Sequence, residues 1–297
     1  MRIAVTGTSG RVGAALARHF PKNHEVVWLP RAFCDLANPD SLARTLDQLD
    51  CDVFINPAGI TSLEACEDDP ALAMRINAEA PGEIAAWAAA RGVAVFHFST
   101  DYVFAGGAAG LRDEAEIPEP RSVYGRSKLA GERAVLAVPG NCVVRLSWVF
   151  GPEKPSFIDQ VFDSALAGRP LAAVADKFSL PTFTGDLTTW MERLIAMNTT
   201  GVIHACNSGE PVSWHEMANA VLGEMAAGGV LPEIPGIQKQ TLAEIVAFRA
   251  ARPRFTGMDT RRLSEILGQP PRHWREALAE HVRYRIGGNF TRAVTGK

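Results

Sequence analysis

The chain opens MRIAVTGTSGRVGAALARHF, a short apolar run followed by three glycines spaced GxxGxxG (Gly7, Gly10, Gly13) and then by an amphipathic stretch with helical spacing. No other segment limits the fold so tightly. A strand that turns through glycines straight into a helix is the first βα unit of an open parallel sheet. The helix end so formed presents backbone N–H groups and the positive end of its dipole to a phosphate. The glycines serve the tight turn, the approach of backbone to pyrophosphate, and close contact between helix and strand. The segment predicts a dinucleotide cradle made by Gly7, Gly10, Arg11, Val12 and Gly13.

Strand-like runs at 3–6, 25–29, 53–56, 93–99 and 142–147 alternate with helical patterns at 11–20, 39–49, 70–91 and 123–138. Such alternation predicts an α/β fold, a Rossmann-type doubly wound parallel sheet with helices on both faces. Ligands on such a sheet sit at the carboxyl ends of the strands, where the strand order reverses. After Gly151 the texture changes: ten prolines between Pro152 and Pro271 interrupt shorter helices, and strand signals thin to 171–174 and 202–206. The expectation is an NAD(P)-binding domain over 1–150 and a smaller, mainly helical substrate-binding lobe over 151–286. Some crossing of the chain between them is expected, with a loop-rich stretch at 228–239 and a frayed tail over 287–297.

With 297 residues, 47% hydrophobic and 21% charged, the chain has the makings of a globular enzyme rather than a disordered one. A net charge of −3 gives no reason to expect nucleic acid or a membrane surface as partner. Cys34, Cys51, Cys66, Cys142 and Cys206 are scattered, with no CxxC pair, and read as buried thiols of a reduced protein rather than as metal ligands or disulfides. The N-terminus runs straight into a strand, and no uncharged apolar stretch is long enough to span a bilayer. The chain reads as cytoplasmic.

Tyr124-Gly125-Arg126-Ser127-Lys128 carries the chemistry. Tyr and Lys at i and i+4 share one helix face, so an ammonium can stand near a phenol, favour phenolate and tune it for acid/base work. Alone, the pattern reads first as a solvated helix face. Upstream, however, the fourth strand ends in Ser99-Thr100-Asp101-Tyr102, and a hydroxyl there can donate to a carbonyl oxygen as charge develops on it. Cradle, strand-end hydroxyl and YxxxK in this order point to a nicotinamide-dependent carbonyl/alcohol oxidoreductase. The second strand ends Trp28-Leu29-Pro30-Arg31 without the acid that holds a ribose 2′-OH, while Arg11 and Arg31 suit a 2′-phosphate. NADPH is favoured, with Asp35 keeping NADH as the alternative.

At this point the chain resembles the dTDP-4-dehydrorhamnose reductase family of extended short-chain dehydrogenase/reductases, whose superfamily shares the GxxGxxG spacing. The resemblance runs from Met1 to about Val282 and rests on STDYVF (99–104), YGRSKLAGE (124–132), RLSWVFG (145–151), DKFSLPTFTGDL (176–187) and ARP (251–253), with Thr61, Glu64, Glu67 and Asn77. It implies NADPH lying across the strand ends, with pyrophosphate at Gly10, Arg11 and Val12, adenosine near Asp35 and Leu36, and Ala58, Gly59, Thr61 and Ser99 around the nicotinamide half. It implies that Lys128 bonds the nicotinamide ribose and lowers the Tyr124 pKa, that Tyr124 protonates the sugar C4 oxygen, and that Thr100 steadies that oxygen. Asp101, Tyr102 and Trp148 would line the hexose pocket, and Thr182 and Arg252 would meet the nucleotide half.

Departures gather around the substrate side. Lys177 and Ser179 replace the usual Gln and Gly, Arg121-Ser122 stands for Leu-Asn, Ala105 for Asp, Pro57 breaks an alanine-rich segment, and residues 254–257 lose the usual Asn and Ser. Ala15 stands where the family often has a Glu associated with Mg²⁺ at a dimer interface, so no metal is expected. A monomer or a homodimer remains open. The resemblance implies reduction of dTDP-4-dehydrorhamnose to dTDP-L-rhamnose. Its alternatives are another nucleotide-sugar or carbonyl substrate, and a non-catalytic NADP-binding regulatory subunit like the methionine adenosyltransferase beta subunit.

Overall fold

The computed structural model describes the backbone of residues 1–295 and the side chains of 1–288. Its first half runs β1 (Arg2–Thr6), α1 (Arg11–His19), β2 (Glu25–Leu29), α2 (Pro39–Gln48), β3 (Val53–Asn56), α3 (Leu63–Asp68), α4 (Pro70–Met74), α5 (Ala80–Ala89), β4 (Ala94–Thr100), α6 (Val123–Leu136) and β5 (Cys142–Leu146). Residues Arg75–Glu79 form a π-helical turn between α4 and α5. The second half runs β6 (Val149–Phe150), α7 (Phe157–Leu166), β7 (Leu171–Val174), β8 (Phe178–Ser179), β9 (Thr182–Phe183), α8 (Thr184–Ala196) and β10 (Gly201–His204). It ends with β11 (Val212–Ser213), α9 (Trp214–Ala227), β12 (Ile237–Gln240), α10 (Arg261–Leu267) and α11 (Trp274–Thr295).

Six parallel strands form the central sheet in the order β10-β5-β4-β3-β1-β2. The order reverses between β1 and β3, so the glycine turn after β1 stands at the switch point. β3 and β5 are buried along their whole length because helices cover both faces of the sheet. Alternation along β1 divides the core: Ile3 and Val5 pack with Phe20, Ile55, Phe96, Phe98 and Trp190 on one face, whereas Ala4 packs with Leu42, Phe54, Ile84 and Trp87 on the other. Ser122 caps α6 by accepting a hydrogen bond from the Gly125 N–H at 3.1 Å, which fixes where the helix carrying Tyr124 and Lys128 begins.

A separate apolar cluster, with Phe150, Phe162, Leu180, Phe183, Val221, Met225, Met258 and Leu278, organises the second half. That half is not wholly a separate lobe. The strand signal at 202–206 becomes β10, which pairs with β5 as the sixth strand of the main sheet, and α8 returns to pack on α1. The helix expected over 70–91 is divided by the π turn, and α3 arises where no helix is expected from the pattern. Of the tail expected to fray, 287–295 belongs to α11, while residues 296 and 297 lie outside the described residues. Among the described residues, no helix is long and apolar enough to cross a membrane.

Candidate active site

Gly7 turns the chain after β1 in the left-handed region, at φ +57°. A Cβ there would lie 2.8 Å from the Ala58 nitrogen, and one on Gly13 would lie 2.2 Å from the Gly7 carbonyl oxygen. Turn, β3 exit and first turn of α1 are therefore stacked too closely for side chains. Gly10 precedes α1 with no side-chain cap, which leaves the first-turn N–H groups facing a ligand.

From this cradle a cavity of about 460 Å³ extends across the strand ends. Gly10, Arg11, Val12, Gly13, Ala58, Gly59 and Thr61 line its cradle end; Ser99, Thr100, Asp101, Tyr102, Tyr124, Lys128 and Trp148 line the rest. The Ser99 hydroxyl and the Trp148 indole N–H are buried there and make no hydrogen bond within the protein, so both are available to a ligand. A missing-Cβ cradle, an uncapped helix end and an unpaired hydroxyl fit a dinucleotide with a polar partner beyond it.

Thr100 stands beside the Tyr124 phenol and donates to Asp101 Oδ1 at 3.2 Å. Burial pushes the Tyr124 phenol above its ordinary range, and Thr100 pulls the other way. That reverses the expected lowering of Tyr124 by its neighbouring cation, because desolvation of the phenolate dominates in the protein alone. It leaves Tyr124 protonated at neutral pH, the state of a proton donor. Burial lowers the Lys128 ammonium to about 8, opposed by the Glu132 carboxylate. Trp148 holds a positive φ of 42°, uncommon for a bulky side chain and typical of functional strain.

Several expected site residues stand elsewhere. Arg11 lines the cavity, and its guanidinium donates to the Pro155 carbonyl at 2.7 Å and the Lys154 carbonyl at 3.4 Å, which turns it toward the loop before α7. Arg31 and Asp35 lie outside the cavity lining and pair at 3.4 Å in the loop after β2, and Leu36 is buried in the core. Thr182 is fully buried and donates to the Ala205 carbonyl at 3.0 Å. It holds β9 to the chain after β10 rather than facing a ligand. Arg252 is likewise outside the lining, held by Glu64 at 2.9 Å and lying 3.6 Å over the Phe248 ring.

Three wall residues and the partner of Lys128 escaped the sequence reading. Phe157, Trp214 and Met217 wall the cavity from the second half, Trp214 standing 5.6 Å from both Trp148 and Phe157. Asp101 accepts from Ser179 at 3.1 Å and from Thr256 at 2.5 Å. Lys177, fully buried, bonds the Pro253 carbonyl at 2.8 Å and stands 4.6 Å from the Tyr102 ring. Behind Lys128, its Nζ lies 3.2 Å from His97 Nε2. The clue was His97 in the apolar run of β4, since a buried polar group needs a partner.

A switch-point glycine cradle joined by one cavity to Thr100, Tyr124 and Lys128 defines a Rossmann-type oxidoreductase of the short-chain dehydrogenase/reductase class. The model of the RmlD substrate binding domain family matches residues 1–285. A dTDP-4-dehydrorhamnose reductase of Aggregatibacter actinomycetemcomitans is 32% identical over 93% of this chain and 97% of its own length. A probable dTDP-4,6-dihydroxy-2-methyloxan-3-one 4-ketoreductase of Streptomyces antibioticus is 33% identical over 94% of each chain. Among solved structures, a dTDP-4-dehydrorhamnose reductase of Bacillus anthracis in complex with NADP superposes with a TM-score of 0.86 at 26% identity, covering 94% of this chain and 98% of that one. The chain belongs to the dTDP-4-dehydrorhamnose reductase family and is an oxidoreductase of that type.

Proposed function

We propose that this protein reduces the 4-keto group of a nucleotide-linked 4-keto-6-deoxyhexose, dTDP-4-dehydrorhamnose, using NADPH. The observation that carries this reading is the convergence of Thr100, Tyr124 and Lys128 on one cavity that begins at the glycine cradle. When bound, the nicotinamide supplies the hydride for the carbonyl carbon. Tyr124, protonated because its phenolate is desolvated, gives its proton to the carbonyl oxygen, and the Thr100 hydroxyl orients the phenol. The Lys128 ammonium holds the cofactor ribose and compensates the phenolate left behind. Asp101 is fixed by Thr100, Ser179 and Thr256 and positions the sugar end of the cavity.

Arg31, exposed at the end of β2, is the cation we assign to the 2′-phosphate in place of Arg11. All five thiols are free and buried, which suits the reducing cytoplasm. A second reading changes only the sugar. It is favoured by Lys177, a buried cation under Tyr102 and Trp148 at a place where the family usually has Gln.

NADPH oxidation by the purified protein with a panel of nucleotide-linked 4-keto sugars tests both. Turnover of dTDP-4-dehydrorhamnose with a kcat that falls at least ~100-fold in Tyr124→Phe, with NADPH affinity retained, supports the first. Preference for another keto sugar supports the second. NADPH binding without turnover of any of them defeats both and restores the regulatory-subunit reading.

A further inference from the structure

We propose that His97 is the positioning residue for Lys128, keeping the ammonium charged and fixed in direction on the cavity wall. The inference rests on the role given to Lys128 above and concerns residues behind it. Lys128 Nζ meets His97 Nε2 at 3.2 Å, Asn56 Nδ2 lies 3.2 Å from His97 Nδ1, and the Thr6 hydroxyl donates to Asn56 Oδ1 at 2.6 Å. Thr6 and Asn56 end β1 and β3, His97 stands mid-strand in β4 opposite Asn56, and each is almost wholly buried. The line reaches no solvent, so it fixes a charge rather than conducts a proton.

Hydrogen-bond chemistry makes the line selective. An ammonium has three donors and no lone pair, so His97 Nε2 accepts only if it is bare, with the ring proton on Nδ1. Nδ1–H then requires the Asn56 oxygen, so the amide turns over from the placement above and its NH₂ faces Thr6. With the amide unturned, its NH₂ toward Nδ1 as placed, the ring proton sits on Nε2 and Lys128 must be a neutral amine. Oxygen and nitrogen of an amide have the same shape, so bonding alone chooses between the two. Each arrangement is complete in itself, and each sets one charge state of Lys128.

The surroundings leave His97 as the acceptor that decides. Glu132, one turn along α6, is engaged with Arg145 at 2.7 and 2.9 Å. Cys66, from α3, is held as a thiol by burial, and Tyr124 as a phenol. The His97 ring is kept neutral by burial and by Lys128 itself. Its neighbours across the sheet are Asn56 on β3 and the apolar Val143 on β5.

The test compares pH profiles of kcat/KM for the full-length enzyme and His97→Leu, with His97→Gln as the conservative rescue. Removing a charge-assisted acceptor lowers the Lys128 pKa by about one unit, so His97→Leu loses about fivefold at about pH 8 and little at about pH 6. Gln, whose carbonyl oxygen can accept, restores the alkaline limb. A uniform loss at all pH, or an unmoved limb, overturns the inference and leaves His97 a packing residue. Lysine-¹³Cε NMR of the full chain, with Lys128→Met for assignment, reads the same titration without a substrate. If no sugar is turned over, the functional reading fails, while an NMR shift still supports the His97 role and an unshifted resonance still defeats it. Asn56→Leu, which strips the ring of its Nδ1 partner, shifts the titration in the same direction if His97→Leu does not fold.

Discussion

At Gly13 a single hydrogen stands where any other residue would put a carbon 2.2 Å from the Gly7 carbonyl oxygen, with the Thr8 Cα only 2.9 Å away. Those neighbours are backbone and cannot rotate aside. Gly13→Val must push α1 off the turn, so NADPH binding, followed by fluorescence titration, is expected to weaken at least ~100-fold together with a lower melting temperature. Arg31 lies 78% exposed and paired with Asp35, where an ion pair contributes on the order of 0.2–1 kcal/mol. Arg31→Ala should therefore reduce the NADPH-over-NADH preference in kcat/KM by about fivefold or less, with NADH turnover unchanged. An unaltered preference would move the 2′-phosphate to another group. The glycines were legible in sequence because their constraint is local. The commitment of Arg11 was not, since its acceptors at Lys154 and Pro155 lie more than 140 residues along the chain.

Elements, more than single side chains, place Tyr124 and Lys128. The π turn Arg75–Glu79 swings Asn77 inward, where its side chain accepts from the Ile60 N–H at 2.9 Å, donates to the Ile60 carbonyl at 3.0 Å and donates to Ser127 at 3.0 Å. One amide thus ties the strand-end loop after β3 to α6, and π turns recur at such functional positions. α6 approaches it through Gly131, where a Cβ would fall 2.1 Å from the Asn77 carbonyl oxygen. Gly131→Ala is expected to lift α6 from the π turn, lowering kcat at least ~10-fold by misplacing Tyr124 and Lys128, with a destabilisation of about 1–3 kcal/mol in denaturant unfolding. Wild-type kcat in a folded Gly131→Ala protein would show that this contact does not position the pair. The extra hydrogen-bond step of a π turn leaves no mark in apolar periodicity, which is why 70–91 reads as one helix. The Tyr124 and Lys128 spacing of α6 was plain in YGRSK, because it repeats along one helix face.

Across the whole molecule, burial decides how stability depends on pH. Topology hides the groups concerned: β10 crosses back to extend the sheet beside β5, a pairing the sequence could not specify because the strand signal at 202–206 has no partner label. Cys34, Cys51 and Cys66 are pushed up to about 11, Cys142 to about 12, and Cys206, Tyr102 and Tyr124 also upward, all by burial. Such acids keep their protons in the folded state after the unfolded chain has lost them, so their stabilisation is complete below the unfolded pKa and disappears as pH rises through the folded one. Lys128 and Lys177, lowered to about 8, act in the opposite sense, since the unfolded chain holds those protons up to about 10.4. Seven groups that lose stability outweigh two that gain it. The urea midpoint in reducing buffer is therefore expected to hold to about pH 8 and to fall from about pH 9 upward, by on the order of 1 kcal/mol per pH unit for each net proton. Cys206→Ala removes one proton from the balance and should make that fall shallower, whereas a midpoint that rises above about pH 9 would mean that the two lysines outweigh the buried thiols and phenols.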